Sequence, residues 1–295
     1  MSEPLYHHPL FRDFHPYEGW SEPGFEPWHF GAQFRDWLFT GKSKGYTERR
    51  MVSIGHPELT EEYFEWIALL GAVATAERTF RMFELGAGWG RWSIAAAMLC
   101  RQRRLPFHLV AVEPEPSHFQ WLQMAFRDNG LDPSEHDLRE AVVMPQGSSA
   151  RLAGVNNEHD YSHYVSLGIR CFLRRLRGRH IVRKVNVVSL RELLETYPSV
   201  DLIDMDIQGM EVKNLACVSA EELRNTRIIH IGTHSRGNEA ELKEIFESMG
   251  WLNAFSFPCF SETRTPFGVV KFIADGVQTW VNPAATAVLQ RINAR

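Results

Sequence analysis

Glu84-Leu85-Gly86-Ala87-Gly88-Trp89-Gly90 sets a carboxylate against three alternating glycines, directly after an apolar run that begins at Phe80. Glycine has no side chain to clash, so such a turn lets the backbone bend sharply and come close to a ligand. A helix opening near Trp89 aims its first, unpaired N–H groups at whatever the turn holds, which favours a carboxylate or phosphate. A second apolar run, Leu109-Val110-Ala111-Val112, ends on Glu113. An acidic residue roughly 20 positions past a glycine turn, at the tip of the next strand, is placed to bind ribose hydroxyls. These residues, with Ala87, Trp92 and Pro114 flanking them, outline a pocket for a nucleoside-bearing cofactor.

Glycine spacing separates two cofactor classes. A dinucleotide fingerprint reads G-x-G-x-x-G; here the third glycine arrives one residue early and Arg91 takes the dinucleotide position. Glu84 would repel a pyrophosphate but can pair with an ammonium group. S-adenosylmethionine (SAM) carries an ammonium, a carboxylate and a ribose, and no phosphate. The turn resembles the E/D-x-G-x-G-x-G motif of class I SAM-dependent methyltransferases. An ordinary strand–helix turn is the simpler alternative, and Glu84, Glu113 and the strand–helix–strand context favour the cofactor pocket over it.

The elements that must position these residues alternate. Apolar spacing over residues 59–76 is helical, with Tyr63, Trp66, Ile67 and Leu70 on one face. Strands are expected at Phe80–Leu85, 109–112, 138–144, Val200–Met205 and 228–233. Helices are expected at 92–99, from Ser117 to the Asn129-Gly130 stop, after the capping box Ser189-x-x-Glu192, and at 239–250. Two late runs, Leu252–Phe257 and 269–274, read as a terminal antiparallel hairpin. This β–α alternation predicts an α/β fold, a mostly parallel sheet with helices on both faces. Residues 1–55, crowded with His7, His8, His15, Trp20, Trp28, Phe30, Phe34 and Trp37, are too aromatic for disorder and lack a periodic core of their own. They are expected to form an arm on the main domain, over the acceptor side of its cleft. The catalytic domain is expected over residues 56–283, with a tail at 284–295.

The chain is 295 residues long, 44% hydrophobic and 23% charged, as for a soluble globular protein. Its formal net charge of −4 gives no bulk attraction to nucleic acid or anionic membranes. Cys100, Cys171, Cys217 and Cys259 are scattered and form no C-x-x-C pair, which suits a reducing compartment. Met1-Ser2-Glu3-Pro4 opens no basic-then-apolar segment and no apolar run is long enough to span a bilayer, so a cytoplasmic location is expected. Arg170, Arg174, Arg175, Arg177, Arg179, Arg183 and Lys184 form a basic stretch with no acid among them. It is either a solvated face or a receiver for a phosphorylated or nucleotide-linked acceptor.

Four segments resemble the FkbM family of methyltransferases: residues 83–92, Ala111-Val112-Glu113-Pro114, the run from Val200 through Asp204-Met205-Asp206-Ile207-Gln208-Gly209-Met210-Glu211, and residues 268–283 with Asp275-Gly276-Val277. The chain departs from the commoner family pattern at Asp204, where lysine is frequent, and at Gln208, where glutamate is frequent. The resemblance implies a class I methyltransferase sheet of seven strands, with SAM across the ends of the first two. Glu84, Gly86, Gly88 and Gly90 would then hold the methionine end, Glu113 the ribose, and Glu140-Ala141 would lie near the adenine. It also implies O-methylation of a hydroxyl on a saccharide or secondary metabolite. Methyl transfer needs alignment and removal of the hydroxyl proton. Asp206 and His234, at the ends of the fourth and fifth strands, are the candidates, with His234 as general base. Asp204, Asp206 and His234 could instead bind Mg²⁺ or Mn²⁺. A SAM-binding scaffold without turnover and an NAD-dependent oxidoreductase are the alternative functions.

Overall fold

The computed structural model describes residues 7–154, 164–166 and 181–294; most of the basic stretch, Arg170 to Arg179, lies outside them. At its centre stands a seven-stranded sheet of Phe80–Leu85 (β1), Phe107–Val112 (β2), Asp137–Arg139 (β3), Val200–Met205 (β4), Thr226–Thr233 (β5), Leu252–Phe257 (β6) and Gly276–Val281 (β7). Their spatial order is β6-β7-β5-β4-β1-β2-β3. β7 alone runs antiparallel to its neighbours, while the β5-β4-β1-β2-β3 pairings are parallel. This is the class I methyltransferase sheet. The strand order reverses between β1 and β4, so the connections leaving their carboxyl ends diverge and open a crevice there.

Helices cover both faces: Tyr63–Ala74 (α1), Arg91–Gln102 (α2), Pro116–Asp128 (α3), Leu190–Thr196 (α4), Glu211–Leu215 (α5), Arg236–Ser248 (α6) and Thr286–Ile292 (α7). A strand covered on both faces is buried along its whole length; all six residues of β4 are buried, its two aspartates included, Asp201 accepting from Arg81 N and Arg227. Helix starts follow local chemistry. The Ser189 hydroxyl accepts the Glu192 N–H at 3.1 Å, and the Glu115 side chain accepts from His118 N at 3.0 Å ahead of Pro116. α3 stops where Gly130 turns to φ +66°.

Two strand expectations are corrected. Residues 138–144 do not form one strand: β3 ends at Arg139, and Val142–Val143 pairs in parallel with Val187–Val188 in a separate small sheet. The break falls at Glu140-Ala141, where Ala141 N donates to both Arg139 O and Glu113 O and turns the chain off the sheet edge. Nor does the run at 269–274 join β6. Gly268–Phe272 pairs with Ser261–Thr265 in its own hairpin, and β7 completes the sheet. Gln278 and Thr279 hide β7 from a search for apolar runs. Both are buried because Gln278 donates to Glu239 O and Thr279 meets the His230 ring.

The aromatic arm shares the core of the sheet. Leu10, Phe11, Phe14, Phe30 and Phe34 are almost fully buried in one cluster with α1 and α2. The Trp28 ring lies 4.9 Å from Trp66 and 5.5 Å from Trp92. His8 ties both chain ends together, donating its N–H to Tyr63 Oη and placing Nε2 2.8 Å from Ile292 O. No described helix is long and apolar enough to cross a membrane.

Candidate cofactor and acceptor site

A cavity of about 360 Å³ opens at the carboxyl ends of β1, β2, β4 and β5. The glycine turn forms its floor. Gly86 and Ala87 N–H groups both reach Val112 O, and Gly90 N closes the turn on Ala87 O. Gly86 has φ +88°, and a Cβ there would stand 1.9 Å from Asp206 O, so only glycine lets β1 and β4 end this close together. Glu113 is anchored across the turn: Oε2 accepts Gly88 N at 2.8 Å and Oε1 accepts Glu115 N at 2.8 Å.

Glu84, Gly86, Ala87 and Gly88 line the cavity, as do Trp92, Glu113, Pro114 and Ala141. Gly90 and Glu140 do not. Gly90 instead gives space to Leu122 and Phe126, which a Cβ would meet at 2.3 and 3.1 Å. Glu140 is exposed, and its carbonyl accepts from Asn186. No described residue of the arm lines the cavity either. The described residues of the arm pack on α1, α2 and α3, with Phe39 against the lining residue Trp89.

Glu84, Asp204, His230 and Thr279 stand side by side in register across β1, β4, β5 and β7, Glu84 and Asp204 each one residue before its strand ends. In-register neighbours share a face, so this is one polar row beneath the cavity. Glu84 is buried and accepts Trp92 N at 3.0 Å and Ser93 N at 2.9 Å. The N–H groups of α2 expected to face a ligand are therefore capped from below. Burial still lifts the Glu84 pKa to about 7 against those bonds. Asp204 is hydrogen-bonded to Glu65 of α1; burial first, then neighbouring carboxylates, hold both well above the ordinary range. Burial drives His230 down to about 3, leaving a neutral ring with Nδ1 2.8 Å from Thr279 Oγ1. Arg91 is bonded to Glu62 at 2.6 Å.

Above the row, Asp206 ends β4 with its side chain half exposed and facing the cavity. Glu211, fully buried, accepts Ile207 N and Gly209 N, both at 3.1 Å. That closes a tight loop with Gln208 and Gly209 in left-handed conformation, φ +54° and +89°. His234 fills the space behind Asp206. Its Nε2 is 3.1 Å from Asp206 and 3.7 Å from Asp275, and its Nδ1 is 3.2 Å from Glu211. Burial opposes a charge on this ring, but the contacts with Asp206 and Glu211 outweigh it and raise the pKa to about 10. A carboxylate at each ring nitrogen favours the charged ring, which has no lone pair to accept a proton, over the free base expected from the sequence. Asp204, Asp206 and His234 do not form one metal-ligand set. Asp204 belongs with Glu65 and His230, and Asp206 and His234 belong with Glu211.

Glu61, Glu62, Glu65 and His230, none of them expected at the site, also line the cavity, as does Asp275, noted in the sequence only within the resembling segment 268–283. Two signals were present. Glu61, Glu62 and Glu65 recur at helical spacing where α1 opens, and Glu84 and Asp204 each occupy the penultimate position of an apolar strand.

A sequence profile described as the methyltransferase FkbM domain matches residues 84–257. A protein of Jannaschia sp. (strain CCS1), named provisionally as a methyltransferase, is 25% identical over 229 residues, covering 74% of this chain and 78% of its own. Among solved structures, the methyltransferase FkbM from Methylobacillus flagellatus KT aligns at 12% identity with a TM-score of 0.44, over 74% of this chain and 50% of that one. A SAM-dependent methyltransferase from Agrobacterium tumefaciens aligns at 12% identity with a TM-score of 0.43, over 89% of this chain and 71% of that one.

Proposed function

Because the chain belongs to the methyltransferase FkbM domain family, we propose that it moves the methyl group of SAM to a hydroxyl of a small acceptor, a saccharide or secondary metabolite. The observation that carries this is the anchoring of Glu113 across the glycine turn at the mouth of the strand-end cavity. The lining supports SAM over a dinucleotide: it is rich in carboxylates, which suit an ammonium and a sulfonium and repel a pyrophosphate. When bound, SAM supplies a methyl group already activated on its sulfonium.

The chain's own residues then have three tasks. Gly86 and Gly88 keep the floor low enough for the methionine end. Glu113 uses the remaining lone pairs of its two fixed oxygens for the ribose hydroxyls. Asp206, facing the cavity, accepts the hydrogen of the acceptor hydroxyl and takes its proton as the oxygen–methyl bond forms. His234 fixes Asp206 in place and balances its charge. Most of the rate then comes from alignment, with proton acceptance contributing about 10²–10⁴-fold.

Incubation with methyl-labelled SAM and a metabolite extract tests the reading. Label should enter a small molecule, and Asp206→Asn should cut the rate by about 10²-fold or more with SAM affinity near wild type. Activity that vanishes with chelator and returns with Mg²⁺ or Mn²⁺ would replace the Asp206 role with a metal. SAM binding with no label transfer to any fraction would favour a scaffold.

A further inference from the structure

The N–H groups of α2 that the sequence aims at a ligand are engaged from below: Glu84 accepts both Trp92 N and Ser93 N. A carboxylate arriving at the glycine turn cannot use them. Arg91 opens the same helix and lines the cavity, the only lysine or arginine to do so among the described residues. Its side chain is 26% exposed and is bonded through Nη2 to Glu62 at 2.6 Å. A guanidinium carries five N–H donors in a planar fork, so the Glu62 bond leaves Arg91 with donors for a second partner.

Rings hold the guanidinium as well. Its carbon lies 5.2 Å from the centroid of Trp28 and 5.2 Å from that of Trp92. Trp66 backs both indoles, 4.9 Å from each. Trp92 stands on α2 and Trp66 on α1, whereas Trp28 comes from the arm, outside the residues 84–257 that the family profile matches. A guanidinium over indole faces is attracted by their π-electrons. An ion pair and two rings thus fix a long, flexible side chain before a ligand arrives, which lowers the ordering cost of binding.

We propose that Arg91 receives the carboxylate at the methionine end of the methyl donor, and that the arm, through Trp28, positions Arg91 for that contact. The inference rests on the methyl-transfer reading for the identity of the donor. A guanidinium meets a carboxylate in two parallel hydrogen bonds, a geometry an ammonium cannot offer. Glu62, Glu113 and Asp206 line the same cavity and would repel a ligand carboxylate that landed without a cation beside it. A pair that served only to join α1 to α2 would account for the Glu62 bond, but not for the seat on two indoles at the cavity wall. The arm then serves the donor rather than the acceptor.

Two ligands test the proposal on the full chain by calorimetry: S-adenosylhomocysteine, and the same thioether with hydrogen in place of its carboxylate and the ammonium retained. The acidic lining by itself favours the second, more cationic ligand, so a preference for the first reports a dedicated cation. The wild type should bind S-adenosylhomocysteine at least about 10-fold tighter. Both ligands meet the same folded population, so a loss of stability weakens them alike and cancels in the ratio. Arg91→Met should abolish the preference or invert it, and Arg91→Lys should keep part of it. Trp28→Leu should narrow it by about 3-fold or more, and Trp28→Phe, which keeps a ring, by less. Equal or weaker binding of S-adenosylhomocysteine by the wild type, or a preference undiminished in Arg91→Met, would overturn the role of Arg91. A full preference in Trp28→Leu would overturn the role of the arm. Failure of both ligands to bind the wild type would defeat the methyl-transfer reading itself, and the proposal with it.

Discussion

A histidine touched by a carboxylate at each ring nitrogen behaves differently from one with a free nitrogen facing substrate. His234 has Asp206 on Nε2 and Glu211 on Nδ1, so its folded pKa of about 10 stands above the ordinary 6.5. The native state therefore holds a proton that the unfolded chain releases. The stabilisation is complete below about 6.5 and is lost as pH rises through about 10. Unfolding free energies from urea titration should fall across that window more steeply for the wild type than for His234→Gln. Parallel profiles would mean the ring is not held as a cation. Kinetics carry the same distinction: a base at His234 would give a rate limb near pH 6.5, and an imidazolium partner of Asp206 gives none there.

At the scale of elements, the site depends on how closely β1 and β4 end. Gly86→Ala would drive a Cβ into Asp206 O at a φ of +88°, costing about 1–3 kcal/mol in backbone strain alone and parting the two strand ends. A loss of both stability and S-adenosylhomocysteine affinity is expected; wild-type values in urea unfolding and calorimetry would show that the strands tolerate separation. This part of the fold was legible in advance, because Phe80–Leu85 and Val200–Met205 are mostly apolar stretches, the first ending on the glycine turn and the second on Asp206. β7 was not legible. Its buried Gln278 and Thr279 are satisfied by partners 39 and 49 positions away in the chain, and no local pattern encodes such pairs. The same holds for the site. The glycine turn, Glu113, Asp206 and His234 announce themselves by spacing, whereas the row Glu84–Asp204–His230 exists only once three strands are laid side by side. The environment of His234 was not legible for a related reason: Glu211 stands in its motif, but its reach back to the histidine depends on the folded loop.

The whole molecule is built so that the arm, α1, α2 and α7 share one core. Phe11 is fully buried, with its ring 5.2 Å from Tyr63 of α1, so Phe11→Ala should cost about 3–5 kcal/mol of stability although it is outside the cavity lining. A much smaller loss in urea unfolding would mean the arm is held loosely. The polar row and the acidic cavity follow the opposite logic: polar groups gathered at the sheet ends that an apolar core would exclude. The methyl-donor pocket is tested most directly by calorimetric titration of the full chain with S-adenosylhomocysteine and, separately, with NAD. Saturable binding of S-adenosylhomocysteine, weakened about 10-fold or more in Glu113→Ala by loss of charged hydrogen bonds to the ribose, and no binding of NAD is the predicted result. Binding of NAD with no response to S-adenosylhomocysteine, or an affinity indifferent to Glu113→Ala, would contradict it.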